Sequence, residues 1–444
     1  MIAISGIIPF MLTTNKEKNN KKIITYAMLV IGLSILMIYL TGCQVVDHIR
    51  PTPNVTEFFE QALLTATYAV PTKIPTETPV PATATPMPTE TPTITPTMPQ
   101  PAELPAVFNY ADLEVGSIPQ TYIDDTCEEL AARLNPNNAV PGTVVMPIMY
   151  HSVAENGTEL AASGMDVDQS MMEDFLTTAK QMGFETITME EMVNFMENNA
   201  YIPQKSLMII IDDRRPGVFR TNFYPFLQEY DWEVSLAWPI GDTDIRAASY
   251  INDGLEYTTL WEQMEAYYQL GRFDVQSHGY IHNYNIGVDS TDEFILHEVY
   301  DSRAVLQEHF YCKDANGNAI ADCDTAQPYA YIWPGGGFSA RGVELARESG
   351  YHLGFTTLPR GPVMYNWVPL AEEKDPNREY WVPEVPAGDP LMTLPRYWSQ
   401  DAVYHLDEVV AISEAAAAYE AENHQLLVDN YNYYCQAEYG PLTQ

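Results

Sequence analysis

From residue 140 onward, short apolar runs alternate with longer stretches whose apolar positions recur every three or four residues. Runs rich in Val, Ile, Leu and Met over 144–150, 207–211, 234–239 and 273–276 predict strands, and shorter ones follow over 329–333, 353–357 and 391–394. A helical period marks 171–182, 189–198, 223–230, 260–270 and 292–309. Strand and helix taking turns predicts a parallel α/β domain, barrel or doubly wound, because a crossover helix is what joins parallel neighbours. The tail after Asp401, with alanines over 415–418, reads as a helix packed on this body.

Polar residues stand where the strands end. His151 follows the first run, Asp212 and Asp213 the second, and His278 and His282 the run over 273–276. Pro334-Gly335-Gly336 follows the run over 329–333. In an α/β barrel the loops after the strands gather at one face and build the active site. Neighbouring residues inside a strand point to opposite faces, so Asp212 and Asp213 serve one site only where the strand stops, as Pro216 implies. One acid and two imidazoles hold a borderline ion such as Zn²⁺ and leave positions open for water and substrate. The remaining acid is then free to act as a base.

The residues ahead of this body predict its location. An apolar run over 23–40 is preceded by Lys16, Lys18, Lys21 and Lys22, the pattern of a signal peptide or a membrane span. It closes on Leu40-Thr41-Gly42-Cys43, which resembles the lipobox of bacterial lipoproteins, with Cys43 as the lipidated residue. An uncleaved single-span anchor is the alternative, and both place the bulk of the chain outside the cytoplasm. Pro and Thr dominate 71–105, a stalk on the order of 100 Å when stretched. The expected organisation is an anchor over 1–43, a stalk over 44–105, a lead-in over 106–139, a catalytic body over 140–400 and a helical extension over 401–444.

The formal net charge is −38, which argues against nucleic acid as a partner, since phosphate recognition needs basic patches. Beyond Cys43 four cysteines remain, an even number in an oxidising compartment, and disulfides are expected at Cys312–Cys323 and Cys127–Cys435. The first pair brackets an Asn-Gly turn. No C-x-x-C spacing supports a zinc site instead.

Taken together, residues 144–396 resemble the polysaccharide deacetylases (NodB-homology, carbohydrate esterase family 4). Met146-Pro-Ile-Met-Tyr150-His151 and Met182-Gly-Phe-Glu-Thr-Ile-Thr188 are similar to the branch acting on poly-N-acetylglucosamine. The resemblance implies an irregular (β/α)7 barrel and metal-dependent removal of acetyl groups from an acetylated polysaccharide at the cell surface, by a monomer. The family's Asp-Asp motif falls on Asp212, implying the catalytic base, and Asp213, implying a metal ligand. Its histidine motif implies His278 and His282 as the other ligands, with Zn²⁺ expected and Co²⁺ or Ni²⁺ as alternatives. The proline motif implies the Gly335 N–H as an oxyanion donor, and Pro334 is a candidate substrate contact beside it; Trp333 either stacks on a sugar ring or fills the barrel rim, and Arg396 either contacts substrate or forms an ordinary salt bridge. Four positions depart from the pattern: Arg214 replaces Gly, Gly279 replaces Ser or Thr, and Ile332 stands where an arginine usually orients the catalytic aspartate. At the fourth, Leu394-Pro395-Arg396 lacks the histidine that serves the family as general acid, and His151 is the substitute. These departures motivate the alternative of a glycan-binding protein without turnover. A third reading is hydrolysis of a non-sugar amide or ester.

Overall fold

The computed structural model describes residues 116–442 apart from 158–165, 242, 250, 252, 282–283, 315–316, 322 and 375–381. The expected anchor, Cys43, the Pro/Thr-rich stalk and the first part of the expected lead-in, 106–115, therefore lie outside the described residues, as does His282.

Among the described residues a parallel sheet forms the centre, its main path running through β1 (Val144–Tyr150), β2 (Lys205–Asp212), β3 (Val234–Trp238), β4 (Phe273–Ser277), β5 (Ala330–Ile332), β6 (Leu353–Phe355) and β7 (Tyr397–Trp398), with the short strand Glu185–Thr186 paired beside β2. β1 to β6 lie side by side in chain order, and β7 returns to the free side of β1. The longest ladder joins β1 to β2 from Val144↔Lys205 to Tyr150↔Ile211. β1 reads as an unbroken apolar run because every one of its residues is buried, as expected of a strand covered on both faces.

The sheet curls into a barrel, and one segment joins its two ends. Leu394 bridges Phe355 of β6, its N–H donating to Gly354 O at 2.8 Å while Thr356 N–H donates to its carbonyl at 2.9 Å. Three residues on, β7 pairs with β1 through Tyr397↔Ile148 and Trp398↔Met149. The strand expected over 391–394 is not formed, because Pro390–Thr393 coils into a 3₁₀ turn. The Asp389 carboxylate caps that turn at Leu391 N–H, and the Trp333 indole takes the Met392 carbonyl, so these groups are not available to a ladder. Between β4 and β5 the ladder thins to the pair Ser277↔Tyr331, and the loop carrying His278 opens there.

Period-2 alternation sorts the core. Val145, Met208, Ile210, Ala237, Ala330, Ile332, Phe355 and Leu394 form one buried cluster, and Val144, Met146, Leu207, Ile209 and Leu236 another that meets the surrounding helices. These helices include α1 (Gln169–Gln181), α2 (Met189–Asn198), α3 (Tyr224–Tyr230), α4 (Leu260–Tyr268), the helical stretch α5 over 292–311, and α6 (Ala340–Glu348). Sequence signals set their starts: Thr188 and Glu191 form a reciprocal capping box on α2.

The two ends of the described region close over the strand starts. The long helix α7 (Ala402–Asn430) buries Leu406, Val409 and Ile412, and its Ser413 hydroxyl donates to Gly142 O at 2.6 Å. Gly142 has φ +79°, and a Cβ there would meet Ser413 O at 2.3 Å, so only glycine admits so close an approach. Both expected disulfides are present: Cys127–Cys435 ties the helix Thr126–Arg133 to the chain's end, and Cys312–Cys323 closes the turn after α5. Among the described residues no helix is long and apolar enough to cross a membrane.

The two bonds predict a labelling result. Under denaturing conditions the reduced chain should take up four more iodoacetamide groups than the unreduced chain, as read by intact mass. Equal masses would remove both bonds from the structure. Breaking the Cys127–Cys435 bond by Cys127→Ser should cost about 2–4 kcal/mol in urea unfolding.

Candidate active site

His151, Asp212, Asp213 and His278, singled out at the strand ends, meet at the mouth of the barrel. Asp212 shares the face of Met208 and Ile210 and points inward, and the same parity carries His151 on from Val145 and Arg396 on from Leu394. Asp213 sits at φ +67°, a left-handed conformation uncommon outside glycine, and this turn brings a second consecutive carboxylate to the same mouth.

Asp212 is 1% exposed and Arg396 is fully buried. The guanidinium grips the carboxylate with both arms, Nη1 to Oδ1 at 2.7 Å and Nη2 to Oδ2 at 3.0 Å, while Nε donates to Thr356 O at 2.7 Å. Burial pushes the Asp212 carboxyl up, but Arg396 and the His278 and His151 imidazoles outweigh it and hold it below the usual carboxylate range. Asp212 is therefore an oriented carboxylate at neutral pH. His151 Nε2 stands 3.7 Å from Asp212 Oδ2. Burial pushes this imidazole below its usual value, against the pull of Asp212 and Asp213, so it rests neutral.

His278 is held by the backbone. Its Nδ1 lies 2.8 Å from the Ile332 carbonyl, which only accepts, so Nδ1 carries the proton and Nε2 keeps its lone pair. That Nε2 lies 3.9 Å from Asp213 Oδ1, while Arg215 Nη2 donates to Asp213 Oδ2 at 3.1 Å. Two donors on one tetrahedral ion with bonds of about 2.0–2.1 Å stand about 3.4 Å apart, so an approach of about half an ångström lets Asp213 and His278 share one divalent ion. Among the described residues no group of three or more His, Cys, Asp or Glu is placed to hold a metal, and the third expected ligand, His282, is not among them.

Other expected site residues sit elsewhere. Trp333 is fully buried, packed 4.8 Å from the Tyr331 ring with its indole N–H on Met392 O at 2.8 Å, and Pro334 is buried beside it. Neither presents a face to a sugar. Arg396, expected as a substrate contact, has no exposed surface and spends its donors on Asp212 and Thr356. Arg214 turns toward the loop after β3, donating to the Gly241 carbonyl and to Pro239 O at 3.4 Å. Gly335 does lie exposed, at φ +58°, with the Asn285 amide against it.

Arg215, Asn285 and Glu298 were not singled out by sequence reasoning. Glu298 carries a usable signal: it is an acid three residues beyond Ile295 on the apolar stripe of α5 that continues through Val299, Ser302 and Leu306. Arg215 and Asn285 are polar residues in loops and carry none.

No family model matches the chain. Two curated proteins, the poly-β-1,6-N-acetyl-D-glucosamine N-deacetylases of Escherichia coli O157:H7 and Escherichia coli strain K12, are 22% and 21% identical to it over 235 residues. Each match spans 49% of this chain and 34% of theirs, so the chain covers about a third of the length of the curated relatives it matches. The likeness to polysaccharide deacetylases read from the motifs is thus found independently. Among solved structures, IcaB from Ammonifex degensii is 16% identical and aligns over 62% of this chain and 99% of its own, with a TM-score of 0.41. The BpsB deacetylase domain from Bordetella bronchiseptica is 16% identical and aligns over 59% and 97%, with a TM-score of 0.39.

Arg396→Ala should strand Asp212 as an unpaired buried charge and cost about 3–5 kcal/mol in urea unfolding at pH 7. The carboxyl's folded pKa lies below its ordinary 3.8, so its contribution is complete above that value and is lost as pH falls through the lower folded value. Asp212→Asn should therefore lose less stability than the parent between pH 7 and pH ~3. An equal loss in both would show that this carboxyl does not titrate as described.

Proposed function

We propose that this chain is a metal-dependent hydrolase that removes N-acetyl groups from N-acetylglucosamine units of a cell-wall or extracellular polysaccharide, acting from the cell surface. The observation that carries the reading is the buried Asp212 carboxylate, oriented by Arg396 beside a histidine whose Nε2 lone pair faces Asp213.

An acetamide is a poor electrophile. A divalent ion, with Zn²⁺ expected, would polarise its carbonyl and lower the pKa of the attacking water. Asp213 and His278 would hold that ion, with His282 as the third ligand. Asp212 takes the water's proton, a role that needs an ionised, immobile carboxylate, and the Arg396 fork supplies both properties. The exposed Gly335 N–H is the oxyanion donor. His151, neutral at rest and 3.7 Å from Asp212, is placed to carry a proton to the leaving amine. A cleft of about 570 Å³, bordered by Tyr284, Asn285, Gly336 and Phe338, has the size of a small-molecule site and would take a sugar ring of the polymer.

The glycan-binding alternative draws on Ile332 standing where an arginine orients the aspartate. Arg396 supplies that guanidinium from another strand, which favours turnover. The lipobox-like Cys43 and the apolar run over 23–40 support a membrane-anchored, extracytoplasmic protein.

Acetate release from N-acetylglucosamine oligomers tests the reading. The metal-stripped protein should be inactive, Zn²⁺ or Co²⁺ should restore release, and Asp212→Asn should abolish it. Binding of the oligomers without acetate release, by wild type and Asp212→Asn alike, would favour the glycan-binding protein. His151→Ala should lower kcat about 10²–10⁴-fold with KM little changed; a change confined to KM would remove its proton-carrying role.

A further inference from the structure

Position 279 holds glycine between His278 and the loop that leads to His282, with φ +80°. A Cβ there would lie 2.6 Å from Glu298 Oε2 and 3.1 Å from the Tyr331 hydroxyl, so no side chain fits while Glu298 keeps its place. Glu298 is fully buried, an unusual setting for a carboxylate unless backbone donors hold it. The donors are in this loop: Tyr280 N–H reaches Oε2 at 2.8 Å, and Ile281 N–H reaches both oxygens at 3.2 Å. The other side of the same strip is tied to β3's end, Gly279 O accepting from Ile240 N–H at 3.1 Å and Tyr280 O from Gly241 N–H at 2.6 Å. A further contact comes from His297, whose ring lies 4.1 Å from that of Tyr280. Residues 279–281, directly after His278, are thus held on one edge by a carboxylate from α5 and on the other by the chain after β3.

We propose that Glu298 is a positioning residue for the metal centre: its carboxylate fills the space that Gly279 leaves and fixes the backbone of residues 280 and 281, which follow directly on the expected ligand His278. The role rests on the metal-dependent reading above. Partners of this kind, which touch no metal themselves, are worth about 10–100-fold in metal affinity when removed.

Glu298→Gln preserves volume but turns one acceptor oxygen into an N–H donor facing these amides. Two readouts on the full chain separate the outcomes: amide exchange over residues 279–281 in the metal-free protein, and Co²⁺ titration followed by visible absorption. Faster exchange confined to that segment, with Co²⁺ bound at least tenfold more weakly and an altered absorption band, is the expected result. If Glu298→Gln does not fold, Gly279→Ala displaces the same carboxylate from the opposite side and should give the same pair of changes. Unchanged Co²⁺ affinity in either variant, whatever the exchange does, would overturn the proposal while leaving the metal centre in place. A wild-type chain that takes up no Co²⁺ would overturn the metal-centre reading, and this role with it.

Discussion

The buried ion pair between Arg396 and Asp212 is the constraint on which the site and the barrel both depend. A carboxylate with 1% exposure is tenable only with a fixed cationic partner, and Arg396 meets it with two hydrogen bonds. That partner arrives on the segment that joins β6 to β1. Leu394 must bridge Phe355, and Tyr397 must pair with Ile148, for the residue between them to face inward at the height of Asp212. Closing the sheet and placing the charge are therefore one geometric requirement, and a shift of one residue in this segment would turn Arg396 away.

Around that pair, backbone groups do much of the positioning. The Ile332 carbonyl sets the His278 tautomer, and the Ile240–Gly241 turn after β3 is pinned by Arg214 and by the Gly279–Tyr280 strip. Ile332 contributes through its carbonyl whatever its side chain.

The opposite end of the barrel carries the structural fastening. Ser413 against Gly142 and the Cys127–Cys435 bond hold the two ends of the described region over the strand starts, away from the mouth where the chemistry is proposed. The division matches the general separation in such barrels between a stability face and a loop face.

The sequence by itself determined the alternation of strands and helices, the strand-end placement of His151, Asp212, Asp213 and His278, and the short-range pairing of Cys312 with Cys323. These follow from local pattern: burial on both faces makes β1 and β2 unbroken apolar runs, and a polar residue after such a run lies where the strand meets solvent. Tertiary structure alone decided that Arg396 serves Asp212 rather than substrate, that Trp333 is core, that 391–394 turns instead of extending, and that Glu298 braces the histidine loop. Asp212 and Arg396 are 184 residues apart in sequence, and no local period reports such a meeting. Partner choice between distant polar groups depends on which strands become neighbours, and the closure of the sheet settles that.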